Sequence, residues 1–343
     1  MNILVIGNGF DLAHGLKTSY KDFLNYCRTL SMDDNFRQKN VWLNSFLSRQ
    51  EKIGDKWIDL EKEISKIIGH LFRKHTIPSE IKLGCAYKLT YSYKHELILT
   101  DLKKNTHSSI NENELIQFLY NQLREFTKAF ETYLIKEVCE KVNTQLDCNL
   151  YFEPIKEQLL YQDCYMLSFN YTDICERFYG QNLGYHQATI KPIYVHGKIN
   201  DSKECNLVLG TRSFNRDKED KYLPIDLNIF QKHNQRHRYG TIEAYQDLLN
   251  NLKLPSETRP VFYVIGHSLD KTDHNILKHV FLANKNAVIN IYYHDEEAQE
   301  RLINNITDII GEEEVMSKVR LIYQHDEKRG LLRKTKSLVQ SAS

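Results

Sequence analysis

The feature that most constrains the fold is the opening of the chain. An apolar run, Ile3-Leu4-Val5-Ile6, passes straight into Gly7-Asn8-Gly9-Phe10-Asp11 and then into Gly15-Leu16-Lys17-Thr18-Ser19-Tyr20. A buried strand that delivers a tight glycine turn is how nucleotide-binding α/β folds present backbone N–H groups to a diphosphate. Gly7 can take a φ that other residues resist, and Gly9 lets a phosphate approach the main chain without meeting a Cβ. Position 12 is Leu, so the third glycine of G-x-G-x-x-G is missing where the helix should pack closest. Taken alone, the same run also suits a plain strand-to-helix turn.

With 343 residues the chain is long enough for one large α/β domain carrying an insertion, or for two domains. Lys+Arg 46 against Asp+Glu 45 leaves a formal charge of +1, which argues against a protein built to coat nucleic acid. Six prolines leave little room for a disordered linker. Seven cysteines, an odd number without a C-x-x-C pair, form neither a disulfide framework nor a zinc site, and no metal is expected. Cys164 and Cys175 sit among apolar residues and read as small buried side chains. The apolar run after Met1 is too short for a signal peptide, and no stretch approaches the roughly 18 uncharged residues of a membrane span. A cytoplasmic protein without a membrane partner is the expectation.

Ser19 and Asp22 form a capping-box pattern, and Tyr20, Phe23, Leu24 and Cys27 follow at helical spacing, so the first helix begins there. From Asp33 to about Val142 the periodicity is helical. Trp57, Leu60, Ile64, Ile67, Ile68 and Leu71 form one stripe, and Leu115, Phe118, Leu119, Leu123, Phe126 and Phe130 another. Residues 31–149 are therefore expected to be a helical insertion, with Lys103 to Asn113 as an exposed loop between the stripes. Strand signals return at Tyr165–Phe169, Ile193–Val195, Leu207–Leu209, Val261–Ile265, Ala287–Tyr293 and Val319–Tyr323, with helices from Asp273 to Phe281 and Glu296 to Ile310. The alternation predicts an α/β fold, a Rossmann-like parallel sheet built from residues 1–30 and 150–343.

Ligands of such sheets gather at the carboxyl ends of the strands. There the sequence places Asn170-Tyr171-Thr172 after Phe169, His196-Gly197 after Val195, and Gly266-His267-Ser268-Leu269 after Ile265, followed by Asp273. Each has an ordinary structural reading. Asn170 can cap a helix near Asp173, His196 can bond a neighbouring loop, and Ser268 can be a turn residue. Together they form a candidate site, because independent structural roles need not all choose strand ends. Trp57, Asp59 and Glu61 read first as a helix start with a core tryptophan. The cationic run Lys232-His233-Asn234-Gln235-Arg236-His237-Arg238 reads first as a solvated loop, with a phosphate or nucleic-acid contact as the alternative.

The combination of Gly-x-Gly, Asn-Tyr-Thr, His-Gly and Gly-x-Ser with a later Asp resembles the SIR2-like nicotinamide-dinucleotide-binding domains of bacterial defence proteins. More closely, Ile6-Gly7-Asn8-Gly9-Phe10-Asp11-Leu12-Ala13-His14-Gly15-Leu16 with Tyr20 and Phe23, Trp57-x-Asp59-Leu60-Glu61, Phe169-Asn170-Tyr171-Thr172, and Gly266-His267-Ser268-Leu269 with Asp273 are similar to the bacteriophage abortive infection AbiH family. The resemblance spans most of the chain and implies a SIR2-like (DHS-like) core with NAD as substrate or ligand.

In SIR2-like NADases the counterparts of Asn170 and His196 are catalytic. The first would hold the nicotinamide ribose and a water, and the second would act as general base. Cleavage of the N-glycosidic bond passes through an oxocarbenium-like state, so ribose hydroxyls must be oriented and a proton relieved as water attacks. An unperturbed histidine pKa of ~6.5 suits that task. By the same resemblance Gly7, Asn8, Gly9, Phe10 and Asp11 would cradle the diphosphate, and Gly266, His267 and Ser268 would contact the adenosine end. Thr172, Gly197 and Asp273 complete the set of cofactor-binding residues.

The departures are informative. Deacetylating sirtuins carry two C-x-x-C pairs and this chain has none, which disfavours protein deacylation. Many SIR2-like NADases carry Asp two residues beyond the catalytic Asn, where this chain has Thr172. Phe10-Asp11 replaces the small residues usual in the phosphate turn, so a nucleotide other than NAD can fit.

The resulting expectation is a phage-defence protein that hydrolyses NAD+ to ADP-ribose and nicotinamide on a phage-derived trigger, with a homo-oligomer as one arrangement open to it. One rival is a non-catalytic nucleotide sensor. Another is a Rossmann oxidoreductase, disfavoured by the broken fingerprint.

Overall fold

A computed structural model describes residues 1–31, 34–54, 59–72, 80–91, 97–142, 164–177, 190–200, 204–212, 214, 223–253 and 259–323. The chain divides into two units, one from Met1–Leu16, Lys141–Lys198 and Thr241–Ser343, the other from Lys17–Glu140 and Ile199–Gly240. Trp57 lies outside the described residues.

In chain order the strands are β1 (Asn2–Ile6), β2 (Glu80–Leu83), β3 (Tyr87–Tyr91), β4 (Leu97–Asp101), β5 (Thr106–Ile110), β6 (Cys164–Ser168), β7 (Ile190–Tyr194), β8 (Val261–Ile265), β9 (Val288–Tyr293) and β10 (Val319–Tyr323). The helices are α1 (Asn8–Ala13), α2 (Tyr20–Thr29), α3 (Asn35–Lys39), α4 (Val41–Ile53), α5 (Leu60–Phe72), α6 (Glu112–Tyr133), α7 (Lys232–Arg238), α8 (Glu243–Lys253), α9 (His274–Phe281), α10 (Glu296–Ile310) and α11 (Glu312–Lys318).

The first unit is a six-stranded sheet in the order β10-β9-β8-β1-β6-β7. Every pairing in it is parallel. This is the expected α/β architecture. All five residues of β1 are buried, as a central strand covered on both faces requires. Ile3 and Val5 join Phe262, Val264, Leu277, Phe281 and Ile306 in one apolar cluster, to which α8, α9 and α10 contribute. Pro192 is tolerated in β7 because that strand ends the row, where a missing N–H breaks no ladder. Ile6 is in register with both Ser168 and Ile265, and Ser168 with Tyr194. The carboxyl ends of β8, β1, β6 and β7 are thus level with one another.

In the second unit the Ser19 capping box starts α2 as expected, and Phe23, Phe46, Phe126 and Phe130 pack ring on ring at 5.1–5.3 Å. The helical stripes at Leu60–Leu71 and Leu115–Phe130 form α5 and α6, but the periodicity does not run through. β2 to β5 form an antiparallel sheet between them, and the stretch expected as a loop from Lys103 contains β5. Ile81 and Leu83 alternate with exposed Glu80 and Lys82 over only four residues, and β5 presents mostly exposed polar side chains. Neither leaves an apolar period long enough to notice.

Leu207–Leu209 is buried but is not a strand. The Gln235 amide accepts from Leu209 N at 3.1 Å and donates to Leu209 O at 3.0 Å, satisfying the backbone as a neighbouring strand would. Gln235 belongs to the cationic run expected as a solvated loop, which is instead α7, with Lys232, Gln235 and Arg236 buried. Lys232 Nζ lies 2.5 Å from Glu61 Oε1. Asp59 Oδ1 accepts from Lys62 N at 3.0 Å, so the acid expected near a helix start caps it.

Candidate functional site

Gly7 follows β1 with an extended backbone, φ −119°, so it does not need the left-handed region expected of it. Its lack of a Cβ matters for another reason. A Cβ on Gly7 would lie 2.5 Å from His267 Cα, and one on Gly9 would lie 2.7 Å from Gly266 O. Gly7 N donates to Ile265 O at 3.1 Å and Gly9 N to Gly266 O at 2.8 Å. Gly266, at φ +63°, is equally constrained, since a Cβ there would meet Phe10 N. The glycines interlock the turn after β1 with the turn after β8. The amides of Gly7 and Gly9 are spent inside the protein rather than offered to a diphosphate, and Asn8, Phe10 and Asp11 lie in α1.

Asp11 is buried and points at the segment after β6, where the Thr172 hydroxyl donates to its Oδ2. The side-chain amide of Asn170 also favours the ionised form, but it makes no hydrogen bond of normal geometry to the carboxylate, and Asp11 Oδ1 has no hydrogen-bond partner among the described residues. Burial outweighs both and pushes the Asp11 carboxyl up to about 7. Asn170 N is held by Ser168 Oγ at 3.2 Å, and Asn170 Oδ1 is buried without a hydrogen-bond partner among the described residues.

After β7, His196 is buried with Nε2 3.0 Å from Asp273 Oδ1. The Phe169 ring stands edge-on to His196 at 5.5 Å and to His267 at 4.3 Å, and Tyr171 lies 6.2 Å from His196. The residues on either side of Asn170 therefore both touch His196. Gly197, at φ +80°, lets the chain turn away immediately afterwards. His267 Nδ1 accepts from Leu269 N at 2.9 Å, which leaves the proton of the neutral ring on Nε2. Ser268 is exposed, and its carbonyl accepts from Asn305 at 2.8 Å.

Asp11, Asn170, Thr172, His196, His267 and Asp273 thus stand at one edge of the first unit, contributed by segments after β1, β6, β7 and β8. Two surface hollows lie elsewhere. One is at Asn111–Asn121, the other is lined by Tyr165, Lys191 and Asp247 towards the amino ends of β6 and β7. Neither contains a candidate residue.

The model of the bacteriophage abortive infection AbiH family matches residues 3–294. The chain belongs to the AbiH family. No curated protein matches it. The matched range contains every candidate residue of this AbiH chain, from Gly7 to Asp273.

Two features of this edge of the AbiH chain carry no sequence signal. Asp11 pairs with Thr172, and Glu176 accepts from Tyr194 Oη at 2.6 Å and Lys198 Nζ at 2.9 Å. Burial raises the Glu176 carboxyl, but these two donors overcome it and leave the group below its ordinary range. No periodicity signals either contact. Cys164 and Cys175 are buried as expected, with burial pushing the Cys164 thiol up to about 12 and Cys175 well above its usual value. Both are poor nucleophiles in that state. Among the described residues no helix is long and apolar enough to cross a membrane.

Proposed function

We propose that this edge of the parallel sheet binds a nicotinamide dinucleotide, and that the protein acts in phage defence by hydrolysing NAD+ to ADP-ribose and nicotinamide. The observation that carries the reading is the His196–Asp273 pair beside the two neighbours of Asn170. The Asp273 carboxylate, 3.0 Å from Nε2, stabilises the imidazolium that forms when His196 takes up a proton. Asn170 Oδ1, buried with no hydrogen-bond partner among the described residues, suits a ribose hydroxyl or the attacking water. Gly266, His267 and Ser268 take the adenosine end, with Ser268 exposed to meet it. Asn8, half-buried, is the group of the first turn able to reach the ligand, because Gly7 and Gly9 are committed to the second turn.

A sensor that binds the nucleotide without turning it over is the second reading. It is favoured by the burial of Asn170 and His196, each 4% exposed, which suits a closed resting site. Incubation of the purified protein with NAD+, with and without phage-infected lysate, separates the readings. Free nicotinamide identifies hydrolysis, bound and intact NAD+ identifies a sensor, and reduced cofactor identifies hydride transfer. Nicotinamide release undiminished by His196→Ala would remove the histidine from the mechanism.

A further inference from the structure

Among the described residues only Asn105 and Leu269 are non-glycine positions in the left-handed region, at φ +52° and +55°. Asparagine visits that region readily, whereas leucine resists it because its Cβ crowds the following carbonyl. Leu269 is also fully buried, with its side chain fixed in the apolar cluster of the first unit. Such strain persists only where the surroundings over-determine it. Here two histidines hold both backbone polar groups of the strained residue. Leu269 N donates to His267 Nδ1 at 2.9 Å, and Leu269 O accepts from His274 Nε2 at 3.1 Å. A backbone N–H only donates and a carbonyl only accepts, so the His267 ring is unprotonated at Nδ1 and the His274 ring carries a proton on Nε2.

Between the two rings lies the acid of the candidate site. Asp270 to Asp273 form a turn in which Asp273 N donates to Asp270 O at 3.1 Å. Because His274 reaches back to Leu269 O, residues 269–274 make a closed loop, and Asp273, the residue before His274, stands 3.0 Å from His196 Nε2. A rotation of Leu269 out of the left-handed region swings this turn and carries the Asp273 carboxylate off the imidazole.

We propose that His267 and His274 are positioning residues: by clamping Leu269 in its left-handed conformation, they set the Asp273 carboxylate against His196. The inference deepens the reading of the site as one worked by the His196–Asp273 pair, and it rests on that pair rather than on the identity of the nucleotide. It gives His267 a role through Nδ1 distinct from contact with the adenosine end, and it adds His274 to the residues on which the pair depends.

The test reads the His196 ring itself. In the full chain labelled with 15N-histidine, the His196 imidazole signals are those missing from His196→Ala. A carboxylate at 3.0 Å favours the imidazolium, so their titration midpoint should lie higher in wild type than in Asp273→Asn. His267→Phe keeps a ring beside Phe169 but offers no acceptor to Leu269 N. It is expected to lower the His196 midpoint towards the Asp273→Asn value and to speed exchange of the Leu269 amide proton by roughly fivefold or more. His267→Asn, whose side-chain oxygen can accept from the N–H two residues on, should restore both. His274→Leu removes the donor to Leu269 O and should lower the midpoint even if His267→Phe folds poorly. Equal midpoints in wild type and Asp273→Asn, a midpoint unmoved in His267→Phe or in His274→Leu, or one lowered equally in His267→Asn would overturn the proposal, whatever the change in Tm. Where nicotinamide is released, His267→Phe should lower kcat with KM little changed. A raised KM at unchanged kcat would also overturn the proposal, by placing His267 on the ligand alone. Absence of release with the midpoint shifts intact sinks the enzyme reading and leaves the clamp standing.

Discussion

His196 Nε2 stands 3.0 Å from Asp273 Oδ1, with both side chains buried at the carboxyl edge of the sheet. The contact joins the end of β7 to the residue preceding α9 and sets a carboxylate beside the imidazole. His196→Ala is expected to cost ~10²–10⁴ in nicotinamide release. Asp273→Asn should also lower the rate, because the imidazolium loses the negative charge beside it. The double variant should be far less impaired than the product of the two losses, since both residues act in one step. Multiplicative rate losses, measured at saturating NAD+, would show that the two act separately.

Gly9→Ala should destabilise the fold by ~1–3 kcal/mol, because the added Cβ meets Gly266 O and Cα, which are backbone atoms held by the Gly9 N–H bond. Gly15→Ala is the control. Gly15 lies at φ +75° with nothing within 4 Å of the new Cβ, so only left-handed strain of ~1–2 kcal/mol applies. Urea unfolding monitored by circular dichroism distinguishes the two. If Gly9→Ala unfolded at the wild-type midpoint, the interlocked-turn account would fail.

The pH dependence of stability has a definite sign for Asp11. Its carboxyl rises from 3.8 to about 7 on folding, so the native state binds the proton more tightly than the unfolded chain. This favours the fold fully below pH ~4, and the advantage is lost as pH rises towards 7. Asp11→Asn keeps the shape and removes the charge. The fall in Tm between pH 4.5 and pH 7.5 should be shallower in Asp11→Asn than in wild type, and parallel curves would contradict the raised carboxyl.

Lys232 and Glu61 form a buried ion pair in the second unit, with side chains 4% and 11% exposed. Lys232→Ala removes one charge and deprives buried Glu61 of that partner, at an expected cost of ~3–5 kcal/mol. Lys232→Met combined with Glu61→Leu should recover most of that loss, because two apolar groups need no partner. A Lys232→Ala protein as stable as wild type by calorimetry would place the run outside the core.

The sequence by itself determined the order of the parallel strands along the chain, the capping box of α2, and the placing of Asn170, His196 and Gly266 at strand ends. Burial on both faces of a sheet and on one stripe of a helix leaves a period in the residues, and a strand end is where that period stops. Tertiary structure alone decided what those residues meet. A period says which side of an element is buried and nothing about what lies opposite, so Asp11 was legible as a turn residue but not as the partner of Thr172. Gly9 was legible as a position without room, while the obstructing group proved to be Gly266 rather than a phosphate. β5 was lost because an exposed polar strand takes its stability from ladder hydrogen bonds, which carry no side-chain signature. Leu207–Leu209 was misassigned because a buried apolar run looks like a strand whether a neighbouring strand or the Gln235 side chain completes its backbone hydrogen bonds.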